Sequence, residues 1–235
     1  MKALLLAAGF GTRLRPITDH MPKCLVPIHQ RPLLDYWLTL LLPDKVSDVL
    51  INTHYLPSLV EDFIEASPWR DRITLIHEPY LLGTAGTVLH NKQWLSKESF
   101  LLAHADNLTS FDVDLFINAH RYRRSNIEIT MMTFKTDTPE SCGIVELDEN
   151  NIIVQFYEKS TLARGNLANG AVYIIEPGVI DFISTLGKDI VDLSTEVLPH
   201  YVGRMQAWHN AGYHRDIGTP QSLRLAELEF ENINK

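Results

Sequence analysis

The chain has 235 residues, 45% of them hydrophobic and 21% charged, and a formal net charge of −8. That is enough to bury a full core, as one large α/β domain or two small ones. The acidic balance disfavours nucleic acid as a partner, because a duplex-binding protein shows a basic face. Cys24 and Cys142 have no metal-like spacing. A disulfide framework is not expected, and reduced thiols in a cytoplasmic protein are the simpler reading.

The elements follow in chain order. An apolar run at residues 2–7 reads as a buried strand. It stops at Gly9, and Arg13 and Arg15 follow at once. A secretory leader would carry roughly 7–15 apolar residues and a small-residue cleavage site. No later run approaches the ~18 apolar residues of a membrane span, so no membrane contact is expected. Residues 32–42 read as a helix opened by Pro32. Then come a strand at 48–53, a helix at 57–66, a strand at 73–77 and a helix at 84–95. A strand at 99–105, a helix at 112–124 and a strand at 127–134 with β-branched alternation complete the first run. This βαβ rhythm predicts an α/β fold with a Rossmann-like, mostly parallel sheet flanked by helices. Strands at 144–147, 152–157 and 171–175 predict a smaller antiparallel addition in the C-terminal half, with helices at 177–186 and 219–231.

The first strand runs into Leu6-Ala7-Ala8-Gly9-Phe10-Gly11-Thr12-Arg13-Leu14-Arg15-Pro16, and Pro22-Lys23-Cys24-Leu25-Val26-Pro27 follows. A glycine turn after a strand can bring backbone N–H groups and fixed positive charge against a polyphosphate. A dinucleotide-binding loop would need a third glycine where Leu14 stands, and an acid where the next strand ends in Asn52-Thr53. No GK[ST] is present, which excludes a P-loop. The stretch resembles the signature of the sugar-1-phosphate nucleotidyltransferases, the nucleotide-sugar pyrophosphorylases. In short form it resembles the guanylyltransferases for mannose or heptose 1-phosphate, and the likeness runs from Lys2 to about Leu225.

The resemblance implies residue roles. Leu6, Ala8, Gly9, Gly11 and Thr12 would hold the nucleotide, with Arg13 on the departing pyrophosphate. Lys23 would reach the α-phosphate and the incoming sugar phosphate. Leu82-Gly83-Thr84-Ala85-Gly86-Thr87 reads on its own as a helix start with packing glycines. It resembles the family's base-binding loop and adds Gly83 and Thr84 to the nucleotide set. Glu78 stands five residues before Gly83. A carboxylate can accept two donors from guanine and only one from uracil, which leans toward GTP.

Asp106 ends an apolar strand, where an acid faces the cleft of an α/β sheet. By resemblance Asp106 is a magnesium ligand, although Ala105 replaces the family's glycine, and Asn107 belongs to the sugar-phosphate site. His104 is expected to pack rather than bind metal. Asp216 in His214-Arg215-Asp216-Ile217-Gly218-Thr219-Pro220 would be the second Mg²⁺ ligand, and the departure from the family pattern is His214-Arg215 in front of the acid. Two such carboxylates can hold one Mg²⁺ that bridges phosphate oxygens. Gly143, Glu158, Lys159 and Asn169 match sugar-phosphate positions, although Ser160 replaces the proline of the family's EKP. Asp192-Leu193-Ser194-Thr195-Glu196 reads as an N-capped helix start. Trp208, His209 and Tyr213 are core or pocket wall.

The expected reaction joins NTP and sugar 1-phosphate to give NDP-sugar and pyrophosphate. Arg13, Lys23, Asp106 and Lys159 are the catalytic set and Mg²⁺ is the cofactor. A uridylyltransferase and a non-catalytic nucleotide-sugar-binding regulator are the alternatives. One domain over residues 1–235 is expected. Residues 1–110 would form mainly the nucleotide half and 111–235 mainly the sugar-phosphate half, and the chain looks like a catalytic domain alone. Oligomeric state is not legible.

Overall fold

β1 (Ala3–Leu6) is wholly buried, as four consecutive apolar residues in a parallel ladder should be. It opens a computed structural model that describes residues 1–95, 97–160 and 164–233. In chain order there follow β2 (Pro27–Ile28), β3 (Arg31–Pro32), α1 (Leu33–Leu41), β4 (Val49–Thr53), α2 (Pro57–Glu65), β5 (Ile73–His77), α3 (Thr84–His90) and α4 (Lys92–Leu95). β6 (Phe100–His104), β7 (Asn107–Ser110), α5 (Val113–Arg121), β8 (Ile129–Lys135), β9 (Gly143–Leu147) and β10 (Ile153–Glu158) come next. β11 (Leu167–Ile175), α6 (Pro177–Thr185), β12 (Met205–His209), β13 (Tyr213–Asp216) and α7 (Pro220–Ile233) complete the series. The fold is α/β, as the alternating pattern predicts.

The chain divides into two compact units, neither continuous in sequence. The first takes Met1–Leu81, Ala103–Val113 and Gly212–Lys235, and the second takes Leu82–Leu102 and Asp114–Ala211. In the first unit β1, β4 and β5 pair in parallel. α1 buries Leu33, Leu34, Trp37, Leu38 and Leu41, the stripe an amphipathic helix presents to a core. β7 and β13 form a separate antiparallel pair with Asp216 opposite Asn107. Beneath that pair lies a cluster of Leu14, Val26, Ile28, Leu33, Leu108, Tyr213, Ile217, Ala226 and Phe230. α7 is fastened to it by Glu229, which accepts hydrogen bonds from the Tyr213 hydroxyl at 2.8 Å and from Arg215 Nε and Nη2 at 2.9 Å each.

In the second unit β8 pairs with β12 in parallel and with β11 antiparallel, while β9 pairs antiparallel with β10 and β11. This is the antiparallel addition expected of the C-terminal half. Two features differ from the sequence reading. The helix expected over 84–95 breaks at Asn91, whose side-chain amide donates to Thr87 O at 2.8 Å. That local bond satisfies a carbonyl of the helix end and lets the chain restart as α4. The sequence reading also lacks the short strands β2, β3, β7, β12 and β13. Among the described residues no helix is long and apolar enough to cross a membrane.

Candidate active site

The first glycine loop is built by its own backbone. Gly11 has φ +62, a left-handed conformation that glycine takes without strain. From there the chain turns through Thr12–Leu14, with Leu14 N–H donating to Gly11 O at 2.9 Å. The Thr18 hydroxyl donates to the same carbonyl at 2.8 Å. Leu14 is fully buried and pins the turn to the core, while Arg13 on the other side is 68% exposed. A Cβ on Gly11 would stand 3.1 Å from Lys23 Cβ, so the loop and the downstream lysine pack directly together. A Cβ on Gly9 would meet nothing within 4 Å. Leu6, Ala7 and Ala8 are buried. Ala7 N–H donates to Asn52 Oδ1 at 2.8 Å, and Asn52 Nδ2 donates to Glu78 Oε1 at 3.0 Å. Glu78 is therefore buried and held from β4.

The two acids meet because of strand register. Asp106 immediately precedes β7 and Asp216 ends β13 opposite Asn107, so one antiparallel pair sets residues far apart in sequence side by side. Trp37 Nε1–H donates to Asn107 O at 2.9 Å, and Asn107 itself is buried. Ala105 N–H donates to Leu6 O at 3.0 Å, which ties this turn to the end of β1.

Lys23 Nζ then lies 2.6 Å from Asp106 Oδ2 and 3.0 Å from Asp216 Oδ1. Arg13 Nη2 lies 3.6 Å from the other Asp216 oxygen. All four residues belong to the first unit. Burial works to lower the Lys23 pKa, but Asp106 and Asp216 outweigh it and hold it above the ordinary lysine value. Burial likewise works to raise the Asp106 pKa, and the Lys23 ammonium, with His104 behind it, holds it below the usual carboxylate range. His214 is pushed down to about 3, first by burial and then by the charges of His104 and Arg215. His104 Nδ1 comes within 4.0 Å of Asp106 Oδ1. Cys24 is buried and its thiol is pushed up to about 12, which leaves it inert.

The remaining expected residues lie in the second unit. Gly83 is the N-cap of α3. Thr84 Oγ1 accepts from Leu193 N–H at 2.6 Å and donates to Asp192 Oδ2 at 3.3 Å. Asp192 caps the following turn by accepting from Thr195 N–H at 2.9 Å, as its sequence suggests. A Cβ on Gly143 would stand 2.7 Å from Glu158 Oε2, so glycine leaves room for that carboxylate. Lys159 has φ +44, is 67% exposed and lies 3.6 Å from Glu158 Oε1. Asn169 sits at a register shift in β11, donates to the Tyr173 hydroxyl at 2.7 Å and accepts from Ala171 N–H at 2.9 Å. Trp208 packs on Phe116 with ring centroids 5.3 Å apart.

Sequence reasoning missed Asn52, which links the end of β1 to Glu78. Its one signal was a lone amide at the end of the apolar run Val49-Leu50-Ile51. It also missed Gly218, where a Cβ would stand 2.7 Å from Asp216 Oδ2 and 2.9 Å from Arg13 Nη2.

The family described as Nucleotidyl transferase matches residues 2–232. "Probable mannose-1-phosphate guanylyltransferase 3" of Oryza sativa subsp. japonica is 30% identical, over 100% of this chain and 68% of its own length. The mannose-1-phosphate guanylyltransferase of Mycobacterium tuberculosis is 29% identical, over 94% of this chain and 62% of its own length. The chain thus spans about two thirds of the length of these relatives, 68% and 62%. Among solved structures, an apo UDP-glucose pyrophosphorylase superposes with a TM-score of 0.82 at 20% identity, covering 100% of this chain and 99% of that one.

Proposed function

This chain belongs to the nucleotidyl transferase family and is an enzyme of the sugar-1-phosphate nucleotidyltransferase class, and on that premise we propose that it transfers a guanylyl group from GTP to a mannose- or heptose-type sugar 1-phosphate, releasing pyrophosphate. The observation that carries the reading is the single cluster of Arg13, Lys23, Asp106 and Asp216. Two polyanions must approach each other in such a reaction. At an effective dielectric of ~20, two unit charges 4 Å apart cost about 4 kcal/mol. Lys23 and Arg13 supply the positive charge that offsets this, and in the substrate-free chain both stand beside carboxylates.

The donor set suits a hard cation. Asp106 Oδ1 is buried and accepts no hydrogen bond, and Asp106 and Asp216 offer oxygen only. These two acids would hold Mg²⁺, which when bound spreads the charge that develops on the phosphates. The rest belongs to the chain. Lys23 steers the α-phosphate and the nucleophilic sugar phosphate. Arg13, exposed at the loop, accompanies pyrophosphate as it departs. The nucleophile is an ionised phosphate oxygen, so no side chain need remove a proton. In the second unit Lys159 and Glu158, 3.6 Å apart, would take the sugar phosphate and sugar hydroxyls, and Asn169 is the third residue expected to hold the sugar.

The preference for guanine is supported by the names of the relatives; Glu78, expected to read the base, is buried and already spends one carboxylate oxygen on the Asn52 amide. Two free thiols accord with a cytoplasmic setting. The test is pyrophosphate release with Mg²⁺, crossing GTP, UTP, dTTP, ATP and CTP with a panel of sugar 1-phosphates. GTP with a mannose- or heptose-type acceptor should be the fastest pair. A faster UTP reaction overturns the base, and silence across the panel with intact nucleotide-sugar binding overturns catalysis.

A further inference from the structure

We infer that Lys23 is an exchangeable counter-ion: its ammonium and a divalent cation are alternative occupants of the Asp106–Asp216 carboxylate pair, and the lysine passes to a substrate phosphate when the cation takes the pair. This rests on the reading of Asp106 and Asp216 as the metal acids. Lys23 is only 9% exposed in its side chain, and its Nζ bonds one oxygen of each acid, at 2.6 Å and 3.0 Å. An ammonium has three donors and no acceptor, and here two of them are spent on the two groups that would ligate a metal. A divalent cation held by these two acids would compete with the ammonium for the same carboxylate oxygens. The two cations repel strongly at such range, so they exclude each other.

The lysine has somewhere to go. Its stem packs against Gly11, where an added Cβ would lie 3.1 Å from Lys23 Cβ. The ammonium therefore pivots from a fixed base between the acids and the glycine loop. The consequence is an order of loading. A divalent cation binds the free protein weakly and binds well with the triphosphate, because the triphosphate gives the ammonium its second partner.

The experiment measures Mn²⁺ binding by paramagnetic resonance to the full chain without nucleotide, for wild type, Lys23→Met and Lys23→Gln. Lys23→Gln retains an amide donor toward Asp106, and thermal melts check that each variant folds. Both variants should bind Mn²⁺ at least about tenfold more tightly than wild type, the scale of relieving one unit charge, and adding Asp106→Asn to Lys23→Met should abolish the gain. Variants that bind no more tightly than a tight-binding wild type overturn the exchange and leave the metal acids in place. A gain that survives Asp106→Asn overturns the reading of the acids themselves. In wild type the ammonium can be followed directly by ¹⁵N resonance of labelled lysine. Its protected signal should persist with Mg²⁺ alone and shift with Mg²⁺ and GTP together, and no change in the second case also refutes exchange.

Discussion

Replacing Gly218 by alanine should separate catalysis from folding. The new Cβ would lie 2.7 Å from Asp216 Oδ2, 2.9 Å from Arg13 Nη2 and 3.2 Å from Arg13 Cζ. Ordinary contact begins near 3.5 Å, so the carboxylate and guanidinium must retreat by ~0.8 Å. Both are tips of half- or mostly exposed side chains, 53% and 68% exposed, and the retreat costs little. Gly218 is not among the residues with positive φ, so alanine brings no backbone strain. The folding penalty should stay within about 0.5 kcal/mol, as for surface changes. The catalytic penalty is larger, because a misplacement of this order costs up to about 10²-fold in rate. Urea unfolding and pyrophosphate release under saturating substrates measure the two effects. Turnover within about threefold of wild type, or a stability loss above about 2 kcal/mol, would refute the reasoning, since either departs from the scales used here.

Gly86→Ala makes the opposite case. Its Cβ would collide with the backbone carbonyl of Asp189, which has no flexible tip to withdraw. Overpacking of this kind should cost about 3 kcal/mol and lower the melting temperature by roughly 10 °C. Glu229→Ala strips the acceptor from the Tyr213 hydroxyl and from Arg215, and urea unfolding should show a loss of about 2 kcal/mol. His120 governs part of the acid response. Gln206 Nε2 donates to Thr130 Oγ1 at 3.0 Å, which directs the Thr130 hydroxyl onto His120 Nδ1 at 2.7 Å and leaves the His120 Nε2–H for Glu176 Oε1 at 2.8 Å. Burial lowers its pKa further than the Glu176 hydrogen bond raises it. The unfolded chain therefore takes the proton first, so this stability is complete above about pH 6.5 and is lost as pH falls below it, by up to ~1.4 kcal/mol per pH unit. His120→Gln should flatten that slope in urea titrations between about pH 7.5 and 5.5, the span in which histidine changes charge. An unchanged slope would show that other groups carry it.

The parallel elements were legible because their residues say one thing at every level. Val49-Leu50-Ile51 is apolar, β-branched at Val49 and Ile51, and buried throughout, and Leu33 to Leu41 carries a helical stripe. Tyr213-His214-Arg215-Asp216 carries no such signal. Four mixed polar residues become a strand only because Asn107–Ser110 waits to pair with them, and that partner lies about a hundred residues away. The four charged residues were readable singly, from a resemblance in short motifs. That one ammonium spans both acids was not, since it follows from a register no local pattern encodes. Asn52 was passed over because its role joins three segments, each innocuous alone.

The first unit holds three stretches of chain, with the second inserted between them. During synthesis this makes it a host that must wait for its guest. Tyr213, Ile217, Ala226 and Phe230 reach the hydrophobic cluster under the site only after residues 114–211 have left the ribosome. Asp216 arrives in the same stretch, residues 212–235. A nascent chain stalled before it therefore carries a glycine loop and one acid but cannot assemble the charged quartet. Emergence of residues 212–235, rather than folding of the middle, is the event that arms the molecule.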